Sequence, residues 1–403
     1  MQIRSITFFC APGFPVNQLV LQKAGIFIRH ARLAFENAGF TVQTVRLATP
    51  PFPSWLESAN ALVGAQTLQL AAHGEGYDYV SLGPALPDDL DSYRLIPEIL
   101  KGTKSVFLSG NTTTAMGEIS LKAVRACAQV MHHAAALEPD GFANLRFAAL
   151  ANVTPGAPFF PAAYHKGSDP AFALALEAAD LAIDAFSHAN NLEDARKRLI
   201  EEIEKHASEL ETVARQLESI YQVKFNGLDF TLAPYPIKER SIGAALEALG
   251  LPSVGLSGSL AAAAFITDTL DHASYQRCGF NGLMLPVLED SILALRASEG
   301  LLSVNDLLLY STVCGTGLDV LPLPGDITTD QIEAILLDLS ALALRLDKPL
   351  TARLMPIPGK NAGDPTGFNF EYFANSKVMA VKADSLTGLL KTSSTVSISP
   401  RKR

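Results

Sequence analysis

Short apolar segments rich in β-branched and aromatic residues alternate along the chain with longer segments that have the period of amphipathic helices. Strands are predicted at residues 3–9, 41–46, 78–82, 105–108, 146–152, 228–232, 283–287, 320–323 and 352–357. Helices are predicted at residues 16–38, 115–137, 170–188, 238–249, 257–272 and 328–345. This alternation is typical of an α/β protein in which helices cover a mostly parallel sheet or barrel.

The segment 191–221 differs from its surroundings because it is predicted to be a long, charged helix with one narrow apolar stripe. The stripe consists of Leu199, Ile203, Ala207, Leu210, Ala214, Leu217 and Tyr221. Such a stripe contacts either the body of its own chain or the same helix of a second subunit. Because the chain is also rich in apolar residues, we expect a homodimer or larger homo-oligomer with this helix at or near the contact.

The composition indicates a large globular body, because 48% of the 403 residues are hydrophobic. We expect one α/β body over residues 1–390 and a flexible basic tail over 391–403. The net charge of -9 argues against a nucleic-acid partner. No apolar run approaches the ~18 residues of a membrane span and no signal peptide is recognisable, so we expect a cytoplasmic protein without a membrane partner.

Polar side chains are concentrated in the loops that follow predicted strands, where α/β proteins usually bind their ligands. Asn111 and Thr112 precede a helix and form either a helix cap or an anion site. Asn152 ends another strand, and Lys360 and Asp364 follow the last one. We expect these five residues to bind a small polar or anionic molecule.

The loop at residues 155–166 contains two adjacent phenylalanines and three prolines. This loop is expected to fold over an apolar surface, since exposing both rings to water would be costly. His165 lies near its end and titrates close to neutral pH, so it is either a general acid or base or a structural histidine.

Cys314 lies in the segment STVCGTGLDVLPLPGD, between residues 311 and 326. As a nucleophile it would need a neighbouring base or positive charge, and the sequence supplies none nearby, so an inert buried thiol is the alternative. Asp319 and Asp326 bracket the strand that follows, and Asp326 or Thr328 is expected to cap the next helix.

Glu289 and Asp290 directly follow a predicted strand. Adjacent carboxylates point in different directions on an extended chain, so at most one is expected to face a pocket, and the alternative is that they favour the start of a helix. The spread of carboxylates over neighbouring loops suits Mg²⁺ or Ca²⁺ rather than zinc, with Asp290 and Asp326 as candidate ligands.

The chain contains three long segments in a fixed order, DFTLAPYP (229–236), STVCGTGLDVLPLPGD (311–326) and RLMPIPGKNAGD (353–364), together with FFPAAYH (159–165) and LPVLED (285–290). These segments resemble the motifs of the domain-of-unknown-function 711 family. The family's motif residues correspond here to His165, Asp229, Pro234, Glu289, Asp290, Cys314, Asp319, Asp326, Lys360 and Asp364.

That resemblance implies a large α/β barrel similar to pyruvate formate-lyase and other glycyl-radical enzymes, with loops that converge on a central pocket. The chain lacks the Arg-Val-x-Gly-Tyr segment and the adjacent cysteine pair of those enzymes. Radical chemistry is therefore not expected.

These observations favour a non-radical enzyme that acts on a small polar or anionic metabolite in the mouth of the barrel. The candidate catalytic residues are His165, Cys314, Glu289 and Asp319. The alternative is a non-catalytic ligand-binding or assembly protein, in which the polar loops serve as helix caps and subunit contacts.

Overall fold

The computed structural model describes residues 1–167 and 169–400. The strands are β1 (Gln2–Phe9), β2 (Val42–Ala48), β3 (Tyr79–Ala85), β4 (Val106–Asn111), β5 (Glu118–Ser120), β6 (Phe147–Ala151), β7 (Ala171–Glu177), β8 (Lys224–Ala233), β9 (Gly317–Pro324), β10 (Leu350–Ile357) and β11 (Thr395–Ser397). The helices are α1 (Gln18–Asn37), α2 (Ala61–Gly74), α3 (Leu90–Gly102), α4 (Leu121–Ala135), α5 (Ala179–Ser187), α6 (Leu192–Tyr221), α7 (Ile242–Ala248), α8 (Ser259–His272), α9 (Ser291–Ser298), α10 (Val304–Tyr310), α11 (Thr329–Leu346) and α12 (Leu389–Thr392). Among these described residues, no helix combines the length and apolar character needed to cross a bilayer.

Nine strands form one mostly parallel sheet in the order β8-β7-β1-β2-β3-β4-β6-β10-β9, which confirms the predicted α/β class. The five central strands β1, β2, β3, β4 and β6 run parallel to each other. Strand β7 is antiparallel to β1, and β10 is antiparallel to β6. Each of these continues into a parallel neighbour, β8 or β9, so the two outer pairs run opposite to the centre.

The two faces of this sheet carry different side chains. On the face that we call the outer face, residues such as Val45 and Leu47 of β2 pack with the helices in the main hydrophobic core. On the opposite, inner face, Thr44 and Arg46 of the same strand line a cavity. Because side chains alternate along a strand, β2 presents an apolar side to the helices and a polar side to the cavity.

Strand β7 corrects the sequence prediction of a helix over residues 170–188. The first half of that segment is β7, and only the second half is helical, as α5. Alanine and leucine favour a helix locally. The inner-face positions Ala171 and Ala173, however, pack beside Phe160, and Ala175 packs beside Phe159. Packing against these rings, together with pairing to β1, outweighs the local helix preference.

The segment 276–287 lies along both outer strands of the sheet. The Cys278 N–H donates to the Leu228 carbonyl of β8 at 3.1 Å, and the Val287 N–H donates to the Asp319 carbonyl of β9 at 3.1 Å. The predicted strand at residues 283–287 is therefore not a regular strand, although it makes one parallel bridge to β9.

Helix α6 packs against its own chain. Leu199, Ile203 and Leu210 of the apolar stripe are each 0% exposed, and the helix contacts α1, α5, α8 and β8. The expectation that this stripe meets a second subunit is wrong, because the stripe is already covered, and the surface-helix alternative holds. A homo-oligomer formed through another surface stays a prediction.

The described part of the predicted tail contacts the body. Strand β11 pairs antiparallel with β5, and Arg345 donates to the Ser399 carbonyl at 2.8 Å. The basic end of the predicted tail, residues 401–403, lies outside the described residues.

Candidate functional site

A cavity with a volume of about 90 Å³ lies on the inner face of the sheet. Side chains from β1, β2, β3, β4, β6, β9 and β10 form its wall, and the loop at 159–162 and residues 370–372 contribute aromatic rings. Phe159 and Phe160 are 5% and 7% exposed, which confirms that their loop folds over an apolar surface. The wall residues Arg4 and Tyr79 lie near the amino ends of their strands, so the cavity is not at the carboxyl ends where we expected it.

Five charged side chains of the cavity wall form a buried cluster, which we call the cavity cluster: Arg4, Arg46, Glu289, Asp319 and Arg353. Arg353 binds Asp319 through two hydrogen bonds, from Nε to Oδ1 at 2.6 Å and from Nη2 to Oδ2 at 3.0 Å. The same Nη2 donates to Glu289 Oε1 at 2.9 Å, and Arg4 donates to Glu289 Oε2. The two carboxylates are thus joined through one guanidinium.

The two carboxylates of the cavity cluster differ in acidity. Burial raises the pKa of Asp319; the Arg353 guanidinium opposes this effect, and the negative charge of Glu289 adds to it. Burial alone would also raise the pKa of Glu289, but the guanidiniums of Arg4 and Arg353 outweigh it and lower the pKa. Asp319 is therefore the carboxylate that takes up a proton more readily.

Arg46 is the member of the cavity cluster that forms no ion pair with a carboxylate of the described residues. Its Nε donates to Thr44 Oγ1 at 2.9 Å. Its guanidinium carbon lies 5.2 Å from the ring centre of Phe160 and 5.8 Å from that of Tyr79. Burial lowers its pKa to about 10, with the positive charge of Arg4 contributing.

Asp290, next to Glu289 in the chain, has an entirely different environment. One oxygen, Oδ1, accepts from the N–H groups of Ile292 and Leu293 at the start of α9. The other, Oδ2, accepts from Ile242 N–H at 2.6 Å at the start of α7. Asp290 is 0% exposed. It therefore caps two helices, and the prediction that at most one of the adjacent carboxylates faces a pocket is confirmed.

The predicted metal ligands do not meet. Asp290 is occupied by the two helix ends, whereas Asp326 is exposed in the turn after β9, and Thr328 caps α11. Within residues 1–167 and 169–400, no group of three or more His, Cys, Asp or Glu side chains could hold an ion. The predicted Mg²⁺ or Ca²⁺ site stays a prediction, without a cluster of this kind in the described part of the chain.

Cys314 is a buried part of a tight backbone crossing, with 1% of its surface exposed. The Gly317 N–H donates to its sulfur at 3.4 Å. A Cβ on Gly282 would lie 2.4 Å from the Gly315 Cα, which explains why glycines occur beside this cysteine. The ammonium of Lys348 is nearby but donates to the carbonyls of Ser311 and Cys314. Cys314 is not among the described residues of the cavity wall.

His165 is buried in the loop after β6, with 4% of its surface exposed. Its main-chain N–H donates to the Thr49 carbonyl at 2.9 Å, and its ring centre lies 6.3 Å from that of Phe9. Both partners mark the carboxyl ends of β1 and β2. The cavity wall formed by the described residues does not include His165, so the structure does not bring it together with Glu289 and Asp319.

The five predicted ligand-binding residues also lie outside the described cavity wall. Thr112 donates to the Leu150 carbonyl at 3.0 Å and contacts Ser340, and the Asn111 carbonyl accepts from Tyr93. Asn152 reaches Asp347 at 3.4 Å. Asp364 accepts from Asn361 N–H at 2.7 Å, and the Lys360 carbonyl accepts from Gly325 N–H. These residues mainly support turns and strand ends.

Sequence reasoning missed the three arginines of the cavity cluster. Each lies inside a strand, and Thr44-x-Arg46 and Thr351-x-Arg353 place a hydroxyl and a guanidinium on the same face. A charged residue at an inward position of a central strand is costly unless it has partners. That pattern was the available signal, and it could have pointed to the inner face rather than to the loops.

The fold and the cavity define an α/β protein with a charged internal site. The model of the family described as "Uncharacterised ACR (DUF711)" matches residues 1–371, and the chain belongs to this family, which confirms the resemblance noted in its motifs. A UPF0210 protein of Pyrobaculum arsenaticum is 33% identical over 345 residues, which cover 81% of this chain and 76% of that relative. One from Methanococcoides burtonii is 31% identical over 350 residues (82% and 77%), and one from Neisseria meningitidis serogroup C is 28% identical over 335 residues (80% and 74%).

Proposed function

We propose that the protein is a non-radical enzyme that binds a small anionic metabolite in the inner cavity and carries out acid–base chemistry on it. The observation that supports this proposal is the cavity cluster, in which three guanidiniums and two carboxylates line one buried cavity. Burying so many charges costs free energy that ion pairing repays only in part, and clusters of ionisable groups with shifted pKa values are typical of active sites.

In this proposal Asp319 transfers the proton. Burial raises the pKa of Asp319 towards neutral pH, where a carboxyl group can both donate and accept a proton. Glu289 stays ionised because Arg4 and Arg353 lower its pKa. Two carboxylates whose environments push their pKa values apart form a usual acid–base pair. Arg4 and Arg353 would stabilise negative charge that develops on the substrate.

We also propose that the segment 276–287 closes the sheet into a barrel similar to that of pyruvate formate-lyase. In support, its N–H groups bond to both outer strands, at Leu228 of β8 and at Asp319 of β9. Closure would put the cavity at the centre of the molecule, away from bulk water. Slow exchange of the Cys278 and Val287 amide hydrogens would support this arrangement, whereas exchange at the rate of a surface loop would oppose it.

Solvent-hydrogen exchange into candidate substrates tests the enzymatic proposal. Small organic acids incubated with the protein in D₂O should gain deuterium, as followed by NMR, and Asp319→Asn should lower the rate at least 100-fold. Asp229→Asn is the matched control, because burial also raises the pKa of Asp229 but this residue lies outside the described cavity wall. Equal rates in the wild type and Asp319→Asn would contradict a catalytic role for Asp319.

The alternative, a non-catalytic ligand-binding protein, has one specific observation in its favour. Arg353 engages both oxygens of Asp319, so this carboxylate is held in an ion pair rather than directed at a substrate. Ligand binding without exchange or turnover for any compound that binds would favour this alternative. A cytoplasmic location stays a prediction.

A further inference from the structure

We infer that the ligand of the inner cavity is a small monocarboxylate whose carboxylate group pairs with the guanidinium of Arg46. The inference rests on the proposed function, since it names the chemical class of the molecule bound at the same site. It depends on the geometry of Arg46, the charge balance of the cavity and the polarity of the wall.

The geometry of Arg46 leaves the two terminal nitrogens of its guanidinium available to a ligand. The residue is 8% exposed and lines the cavity. Its Nε is bound to Thr44 Oγ1, and in the part of the chain that the structure describes its two terminal nitrogens have no hydrogen-bonding partner. The rings of Phe160 and Tyr79 hold the guanidinium in place. A planar guanidinium held in this way matches the two oxygens of a carboxylate.

The other three arginines of this region, of which Arg353 is buried and Arg4 and Arg240 are partly buried, already have carboxylate partners. Arg353 pairs with Asp319 and Glu289. Arg4 pairs with Glu289 and lies 3.9 Å from Glu177, and Arg240 pairs with Glu177 as well. Among the described arginines of this region, Arg46 is therefore the one without a carboxylate partner.

The charge balance of the region favours one negative charge on the ligand. With the adjoining pair of Glu177 and Arg240, the region holds four guanidiniums against three carboxylates, which leaves one positive charge in excess. A monoanion neutralises this excess. A dianion such as sulfate or a dicarboxylate would leave a buried negative charge uncompensated, which is unfavourable in a poorly solvated site.

The remaining wall suits a small, mainly apolar body. Phe107, Phe280 and Met284 line the same cavity. One polar atom of the wall, Thr316 Oγ1, is fully buried and has no hydrogen-bonding partner among the described residues, so it can bond to one further polar group of the ligand. The cavity volume of about 90 Å³ suits a small ligand.

Binding at pH 7 to a panel of matched small molecules tests the inference by calorimetry and ligand-observed NMR. The monocarboxylates are acetate, glycolate, lactate and butyrate; the neutral analogues are acetamide and glycolamide; the dianions are succinate and sulfate. We expect the monocarboxylates to bind at least tenfold more tightly than their amides and than the dianions. Glycolate and lactate should exceed acetate if their hydroxyl bonds to Thr316.

Variants of two equally buried arginines separate a ligand-binding role from a structural one. Arg46→Met should weaken monocarboxylate binding at least tenfold and leave the melting temperature equal or higher, because an uncompensated charge is removed. Arg46→Lys keeps the charge but lacks the planar guanidinium, so its monocarboxylate affinity should lie between those of the wild type and Arg46→Met. Arg146→Met is the control: Arg146 is 7% exposed and binds the Leu100 carbonyl outside the cavity wall. This variant should melt at lower temperature with unchanged affinity.

The outcomes for the inference and for the proposed enzyme are distinguishable. Monocarboxylate binding that disappears in Arg46→Met supports the inference even if no hydrogen exchange is detected, in which case only the enzymatic proposal fails. Tighter binding of amides or dianions, or unchanged binding in Arg46→Met, overturns the inference and leaves a small-molecule site standing. No binding by any member of the panel overturns the inference and counts against the proposed function too.

Discussion

Glu289 and Asp290 are neighbours in the chain and both are buried, but their carboxylates have different kinds of partner. Glu289 is bound by the side chains of Arg4 and Arg353 at the cavity. Asp290 is bound by Ser241 Oγ and by main-chain N–H groups at the starts of α7 and α9. The bonds to main-chain groups tie secondary structure together, whereas the charged side-chain partners at the cavity form a site that can respond to a ligand.

Asp290 and Glu289 also differ in how they contribute to the stability of the fold. A carboxylate that caps helices replaces its hydration with fixed N–H donors and stabilises the fold directly. A buried ion pair gains little net stability over apolar packing, but it becomes very costly when one partner is removed. Substitutions around the two residues should therefore differ in their pH dependence and in their effect on ligand binding.

The largest effect is expected for Arg353→Met. Loss of this guanidinium leaves Asp319 and Glu289 buried with reduced compensation, and we expect the free energy of unfolding at pH 8 to fall by about 4 to 5 kcal/mol. Because protonation removes the uncompensated charges, the loss should shrink as the pH falls towards 4. Urea unfolding at both pH values measures this difference.

A control for Arg353→Met is Arg296→Met, since Arg296 pairs with Glu247 and Glu299 away from the cavity. This change should cost about 1 kcal/mol. If Arg353→Met shows the same small, pH-independent loss, the cavity cluster does not have the buried ion-pair character assigned to it.

Asp290→Ala should have the next largest effect, without any change in ligand affinity. Five donors lose their acceptor, and we expect a loss of about 3 to 4 kcal/mol in the free energy of unfolding. Chemical unfolding and calorimetry with lactate measure the two quantities. A variant that stays stable but loses ligand affinity would remove the distinction between the two neighbours.

Asp229 extends the comparison, because this buried carboxylate also binds main-chain donors. It accepts from Phe280 N–H at 2.8 Å and Asn281 N–H at 2.9 Å, in the segment along β8. Burial raises its pKa to about 6, against the hydrogen bonds that favour the ionised form. The folded protein therefore binds more protons than the unfolded chain between about pH 4 and 6, and this contribution to stability is lost as the pH rises through that window.

The Asp229 contribution is at most about 3 kcal/mol, from a shift of about two pKa units. Asp229→Asn cannot titrate, so its free energy of unfolding should decline less between pH 4 and 6 than that of the wild type. Parallel urea titrations over this range measure the difference. Identical pH profiles of the two proteins would show that Asp229 titrates at its ordinary pKa.

The smallest effect is expected on binding, for Glu289→Gln. This change removes one negative charge from the cavity cluster and frees part of the positive charge of Arg4 and Arg353. We expect monocarboxylate affinity to rise about tenfold, or about 1.4 kcal/mol. Calorimetry with lactate measures the change, and Asp290→Asn is the matched neighbour that should leave affinity as it is. A loss of affinity in Glu289→Gln would mean that the Glu289 carboxylate itself accepts a hydrogen bond from the ligand or positions it.

Several parts of the fold were predictable because they depend on local patterns. The apolar strands of the sheet, the α6 helix and the burial of Phe159 and Phe160 follow from periodicity and from the cost of exposing rings. The opposite orientation of Glu289 and Asp290 follows from the geometry of an extended chain. The strand β7 was not predictable in this way, because its alanines are required by the Phe159 and Phe160 rings from another part of the chain.

The site was predicted only in part. Glu289 and Asp319 were candidates, and both line the cavity. The ligand-binding residues, however, were sought in loops, so Lys360, Asn111 and Thr112 were predicted, whereas Arg4, Arg46 and Arg353 of the strands line the cavity. The position of the cavity at the amino ends of the central strands depends on which strands run antiparallel, and strand direction is not encoded in any local pattern.

The sequence by itself determined the α/β class and the family, because each of these follows from local periodicity or motif. Only the tertiary structure decided which charges meet: Arg4 and Glu289 are 285 positions apart, and Arg353 and Asp319 come from different strands. It also decided that the stripe of α6 is covered by its own chain. The physical reason is that an ion pair or a packed face depends on distance in space, which separation along the chain does not specify.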